Sequence, residues 1–204
     1  TKEELTRWIA FMSEIIPAIL EPKDDGELGE KAEIFLGKAP LIHIDVLEKD
    51  VWDEIENEFE AHLMVKDPEV IIGRWVDRGA KRIVVHELNE EILLHQGLVE
   101  IGLGVLLETP LNEIFDLIVT ADYLHLMSIA EIGAQGHVLD ERIFDRIKKV
   151  KEVYPETIIA VDGGINLDNA PKLLEAGADR LIIGSAIFGA ENPEEAYENF
   201  LEII

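Results

Sequence analysis

The sequence predicts an α/β protein of the closed (β/α)8 barrel class, and three observations predict it. Short Val/Ile/Leu-rich runs recur eight times, each followed by a polar stretch with helical periodicity. Parallel neighbours need a long return path, which a helix supplies, so this alternation implies a parallel sheet with right-handed crossovers. A chain of 204 residues suits one domain with ample core. Finally, Arg78-Gly79-Ala80-Lys81-Arg82-Ile83-Val84-Val85 is echoed by Ala176-Gly177-Ala178-Asp179-Arg180-Leu181-Ile182-Ile183, each reading as helix end, glycine cap and buried strand. An open doubly wound sheet reuses the same punctuation and is the alternative, but eight units favour closure.

Taken in order, residues 1–12 carry Leu5, Trp8, Ile9 and Met12 at helical spacing on one face. They are expected to form an N-terminal helical extension, packed over the barrel bottom or making a partner contact, ahead of a single barrel domain over 13–204. Strands are expected at 15–21, 41–47, 60–65, 82–87, 102–107, 123–129, 157–162 and 180–184. The charged stretch Glu21 to Glu30 reads as a loop entering the first helix.

Composition narrows the function. Forty-three acidic against eighteen basic residues give a net charge of −25, which opposes binding to nucleic acid or to anionic lipid. The absence of cysteine removes disulfides, thiolate metal sites and thiol nucleophiles, and fits a cytoplasmic protein. No apolar run approaches the roughly 18 residues of a membrane span, and no signal-peptide pattern is visible.

Reactive groups of a parallel barrel gather at the carboxyl ends of its strands. His43 and Asp45 stand two apart on one strand and so share a face. His62 lies within the next strand, and Asp162 ends the apolar run from Thr157. Any one of them alone reads as a hydrogen-bonded structural group. Four polar groups inside runs that should be buried must instead pair with one another or with a cation. Two imidazoles and two carboxylates suit a divalent Zn, Mn or Fe ion. His86 and His125 follow apolar runs without an evident partner, while His95 and His137 read as solvent-facing. A second constellation is glycine-based: Asp162-Gly163-Gly164-Ile165-Asn166 after the seventh strand and Gly184-Ser185-Ala186-Ile187-Phe188 after the eighth. These loops form the usual phosphate site of such a barrel. Neither contains lysine or arginine, so backbone N–H groups would hold the anion.

With these residues in view, the chain resembles the ribulose-phosphate 3-epimerase family. The resemblance rests on His43-Ile44-Asp45-Val46, Ala61-His62-Leu63-Met64-Val65, Leu126-Met127-Ser128, Val161-Asp162-Gly163-Gly164-Ile165-Asn166 and Gly184-Ser185-Ala186-Ile187-Phe188-Gly189. It implies a TIM barrel of the ribulose-phosphate-binding type, with His43, Asp45, His62 and Asp162 ligating one divalent ion (Zn, Fe, Mn or Co). It further implies that Asp45 and Asp162 serve as the acid and base pair, that backbone groups of Gly163, Gly164, Gly184 and Ser185 hold the substrate phosphate, and that Met64 and Met127 lie beside the reacting carbons. The implied reaction interconverts D-ribulose 5-phosphate and D-xylulose 5-phosphate through an enediolate, in a protein that forms homo-oligomers.

The chain also departs from the family. Pro17-Ala18-Ile19-Leu20 lacks the family's first-strand serine, and Leu47-Glu48-Lys49 replaces its Met-Asp-Gly. His43 and His62 are only 19 positions apart, which leaves Val51 to Glu58 as a brief second helix. Ile129 to Gly136 lacks the usual Asn-Pro-Gly. These changes spare the four ligands and bear on substrate fit and lid closure. Two other readings keep the barrel: another phosphosugar isomerase or decarboxylase, or a non-catalytic or engineered barrel serving as an assembly component.

Overall fold

The computed structural model describes residues 13–47, 49–129 and 136–204. The expected helix over 1–12, and most of the departure at 129–136, lie outside the described residues. Eight parallel strands close into a barrel in sequence order: β1 (Glu14–Ile19), β2 (Ile42–Val46), β3 (Phe59–Leu63), β4 (Arg82–Val85), β5 (Glu100–Val105), β6 (Tyr123–Met127), β7 (Ile159–Asp162) and β8 (Arg180–Ile183). The last pairs with the first, Ile16 opposite Ile182. Every expected strand overlaps an observed one.

Around the barrel run α1 (Asp25–Glu33), a 3-10 turn (Pro68–Val70) leading into α2 (Ile72–Asp77), α3 (Glu90–Leu93), α4 (Leu111–Ile118), α5 (Arg142–Val153), α6 (Ala170–Ala176), α7 (Ser185–Phe188) and α8 (Pro193–Leu201). No helix among the described residues is long and apolar enough to cross a membrane.

Strand alternation sorts side chains into two compartments. Outward residues such as Ile42, Ile44, Ile83, Val85, Leu124, Leu126, Ile159 and Val161 pack with Ile143, Ile147 and Val150 of α5 and with the other helices into one large core. Each such side chain, fully buried, contributes about 1.5–3 kcal/mol. Among the described residues the inward positions hold two small apolar clusters, Ile16, Ala18, Leu41 and Ile182, and Val84, Tyr123 and Ala160. Most other inward positions are polar. At the amino end of the strands, Arg82 donates to both oxygens of Glu14 at 2.7 and 3.0 Å, and Arg180 reaches Glu100 at 3.2 Å while its guanidinium lies over the Tyr123 ring at 4.8 Å.

The sequence echo has a structural counterpart. Gly79 and Gly177 take φ values of 94° and 113°, and the N–H groups of Ala80 and Ala178 fold back on Trp75 and Leu173, ending α2 and α6 just before β4 and β8.

Two expectations are corrected. The loop expected over Glu21 to Glu30 is half helix: the Asp24 side chain accepts from the Glu27 N–H, and this cap starts α1 at Asp25. Val51 to Glu58 forms no helix. Instead Trp52 covers the barrel wall, its indole 5.1 Å from the Phe59 ring and 5.6 Å from Trp75, and Ile55 joins the same core.

Candidate active site

The alternation that sends Ile42, Ile44 and Val46 outward sends His43 and Asp45 inward on β2. On β3 it sends Glu60 and His62 inward, on β6 Tyr123, His125 and Met127, and on β7 Asp162. Parallel register then sets Asp45 opposite His62 and Met127 opposite Asp162. His43, Asp45, His62 and Asp162 each present one ligand atom, all within 4.8 Å of one another. His43 Nε2 is 3.1 Å from Asp45 Oδ1, and His62 Nδ1 is 3.4 Å from the same oxygen and 3.7 Å from Asp162 Oδ2. Both imidazoles are fully buried, whereas the carboxylates of Asp45 and Asp162 keep 13% and 16% of their surface open to the mouth.

These residues fit a divalent cation. His62 Nδ1 is buried without a hydrogen-bond partner, yet it points between two carboxylate oxygens. An orphaned nitrogen beside two anionic oxygens and a second imidazole is a nitrogen-and-oxygen donor set of the kind that Zn, Mn or Fe accepts.

A second tier of polar groups holds the first. His43 Nδ1 lies 2.6 Å from Glu60 Oε1, and the Tyr123 hydroxyl donates to the other Glu60 oxygen. His62 Nε2 meets His86 Nε2 at 2.9 Å, and His125 Nε2 lies 3.2 Å from Asp162 Oδ2. The His125 ring stacks on that of His43 at 5.6 Å. Burial opposes charge on His43, but hydrogen bonds to Asp45 and Glu60 outweigh it and raise the imidazole well above its ordinary value. Burial likewise opposes ionisation of Asp45 and Glu60, and their bonds to histidine win, leaving both well below the carboxylate range. His62 is lowered by burial, against the raising effect of Asp45. His86 is pushed down to about 3 by burial and then by the neighbouring imidazoles His62 and His125. Tyr123 is raised by burial and by the Glu60 charge.

Above the cluster opens a pocket lined by Asp45, Met64, Met127, Asp162, Gly163, Gly164, Gly184 and Ser185, together with Ala18, Ile129 and His137. The structure thus brings together all ten residues singled out from the sequence, the two histidines 43 and 62 lying just beneath the pocket floor. Gly163 and Gly164 have φ values of 110° and 65°. A β-carbon on Gly164 would stand 2.3 Å from the backbone nitrogen of Leu139, so the turn and the loop after β6 interlock. Ser128 fixes the same turn through its hydroxyl, which donates to the carbonyl of Asp162 at 2.8 Å and to that of Gly163.

His137, expected to face solvent, instead lines the pocket, because the backbone from His137 to Leu139 packs against the Gly164 turn. His86 and His125, read as lacking partners, have them. Glu60 and Tyr123 are functional-site residues that the sequence motifs do not single out. The signal for all four is the period of two: Glu60 stands two before His62, Tyr123 two before His125, and His86 two after the inward Val84.

The match to known proteins is consistent along the chain. The model of the ribulose-phosphate 3 epimerase family matches residues 15–188. The ribulose-phosphate 3-epimerase of Aquifex aeolicus is 32% identical over 82% of this chain and 86% of its own length. That of Bacillus subtilis is 30% identical over 91% and 96%. Among solved structures, 3-hexulose-6-phosphate synthase from Salmonella typhimurium superposes with a TM-score of 0.71 at 16% identity, covering 93% of this chain and 97% of that one. KGPDC from Streptococcus mutans gives 0.72 at 13%, covering 94% and 97%. At such identities these two share the fold alone.

Proposed function

We propose a reaction on one premise: the chain belongs to the ribulose-phosphate 3-epimerase family. The reaction is inversion at carbon 3 of a pentulose phosphate, interconverting D-ribulose 5-phosphate and D-xylulose 5-phosphate. The observation that carries it is the pair Asp45 and Asp162, from strands far apart in the sequence, converging at one mouth with His43 and His62 between them.

Asp45, kept ionised by its hydrogen bond to His43 and by the nearby His62 imidazole, takes the proton from carbon 3. The C–H electron pair moves into the bond to carbon 2, and the carbonyl oxygen takes up the charge, giving an enediolate. Asp162, entering the cycle as the carboxylic acid, gives its proton to carbon 3 from the opposite face; Asp45 is left protonated and Asp162 ionised, which is the starting state for the reverse direction. His43, Asp45, His62 and Asp162 would hold the divalent cation, which when bound supplies Lewis-acid stabilisation of the oxygen charge. Met64 and Met127 present apolar, polarizable surface beside the reacting carbons and exclude water. Backbone groups of Gly163, Gly164, Gly184 and Ser185 take the phosphate. No lysine or arginine lines the described pocket, so that subsite works through peptide N–H donors.

The test is formation of xylulose 5-phosphate from ribulose 5-phosphate in a coupled assay with added divalent metal. Asp45→Asn and Asp162→Asn should each lower kcat by at least about 10²-fold. Full activity in either variant, or no turnover by the metal-replete wild type, would overturn the reading.

A further inference from the structure

We propose that Glu60 is a positioning residue, holding His43 so that Nε2 faces the cation site, and that Tyr123 holds Glu60 in turn. The inference deepens the reading of the preceding subsection and rests on it.

Glu60 is fully buried inside the barrel, set opposite His43 on β2 and Arg82 on β4. A lone carboxylate there costs several kcal/mol, and an apolar side chain of similar size would fill the space without that cost. The Glu60 carboxylate is therefore explained by its partners. One oxygen lies 2.6 Å from His43 Nδ1, and the other accepts the Tyr123 hydroxyl. An imidazole has two nitrogens, and whichever carries the fixed hydrogen bond determines which is left for a ligand role. With Nδ1–H committed to Glu60, Nε2 is the nitrogen turned to Asp45, at 3.1 Å. The acidic partner also makes the imidazole a stronger donor.

Tyr123 is placed with equal care. Its phenol occupies the space beside Gly102 on β5, where a β-carbon would stand 2.4 Å from the ring. The Arg180 guanidinium lies over its face at 4.8 Å. A continuous polar column therefore runs from the floor of the barrel through Tyr123 and Glu60 to His43.

Glu60→Gln keeps the shape and an oxygen for Nδ1–H but removes the charge. The metal-stripped full chain is titrated with Zn or Mn against a chromophoric chelator. Glu60→Gln should bind about 10- to 100-fold more weakly than wild type, with kcat largely recovered at saturating cation. Tyr123→Phe, the milder change, should weaken binding about threefold to tenfold. In the double variant the loss of the hydroxyl should add nothing, because it acts through the Glu60 charge; a purely structural role would give additive losses. Equal cation affinity in wild type and Glu60→Gln overturns this inference alone, as does additivity. Should Glu60→Gln fail to fold, unaltered affinity in Tyr123→Phe overturns it. A wild type that takes up no cation overturns the parent reading as well.

Discussion

Gly102 on β5 offers a sharp test of how the barrel interior is built, because a single added methyl group, Gly102→Ala, strikes the centre of the polar column. The new β-carbon would lie 2.4 Å from Cζ and 2.7 Å from both Cε2 and the hydroxyl oxygen of Tyr123. The ring cannot yield outward, since it is fully buried and bounded by the Arg180 guanidinium. Overpacking of this kind costs about 1–3 kcal/mol. Displacing the phenol from Glu60 forfeits a hydrogen bond to a charged group, about 1.5–3 kcal/mol more. The sum, about 2.5–6 kcal/mol, corresponds for a chain of this size to a fall in Tm of roughly 5–24 °C. The assay is thermal unfolding of the metal-stripped protein followed by circular dichroism. Gly26→Ala serves as control: it lies in α1 with its nearest neighbour at 3.6 Å and should be neutral or up to about 1 kcal/mol stabilising. Adding Tyr123→Leu should relieve the collision, so that Gly102→Ala costs far less in that background. A Gly102→Ala protein that melts with wild type, or an equal cost in both backgrounds, would refute the reasoning.

Two further outcomes are expected. Gly164→Ala sets a β-carbon 2.3 Å from backbone at Leu139 and requires a positive φ of 65°, so it should raise KM for the phosphorylated substrate and lower Tm by several degrees, measured by steady-state kinetics and melting; unchanged values would show that the turn can shift without cost. Acid should destabilise the metal-stripped protein through its neutral histidines. His86, held near 3 in the fold against about 6.5 when unfolded, contributes stability above about pH 6.5 that is lost as pH falls toward 3. His43 has the opposite sign: its contribution is complete below about pH 6.5 and so nearly constant there. Asp45 and Glu60 lose theirs only below about pH 4. Between pH 6 and pH 5 urea unfolding should therefore show a loss of about 1 kcal/mol or more, reduced in His86→Leu; a flat profile would contradict it.

What the sequence discloses follows from the range over which each signal acts. The strands were legible because alternation is local: Ile42, Ile44 and Val46 mark one face of β2, and His43 and Asp45 the other. The convergence of His43, Asp45, His62 and Asp162 was legible because each interrupts an apolar run on the inward face of a strand. Glu60 and Tyr123 were not, since their hydrogen bond spans 63 residues and depends on barrel closure and on the room left by Gly102. His125 gained its partner Asp162 the same way, across 37 residues. The segment Val51 to Glu58 has a composition that suits a helix, while the fit of Trp52 against Phe59 and against Trp75, distant in sequence, decides its path.

The apolar filling of this molecule lies almost entirely in the jacket between sheet and helices, and the lumen is lined with ionisable groups. Shell and lumen therefore answer to separate demands. The jacket carries the folding free energy and constrains the outward half of every strand, while the inward half is released to serve whatever chemistry the mouth requires. Exchanges at inward positions that preserve charge balance, volume and hydrogen bonding would leave the jacket intact while changing the chemistry at the mouth.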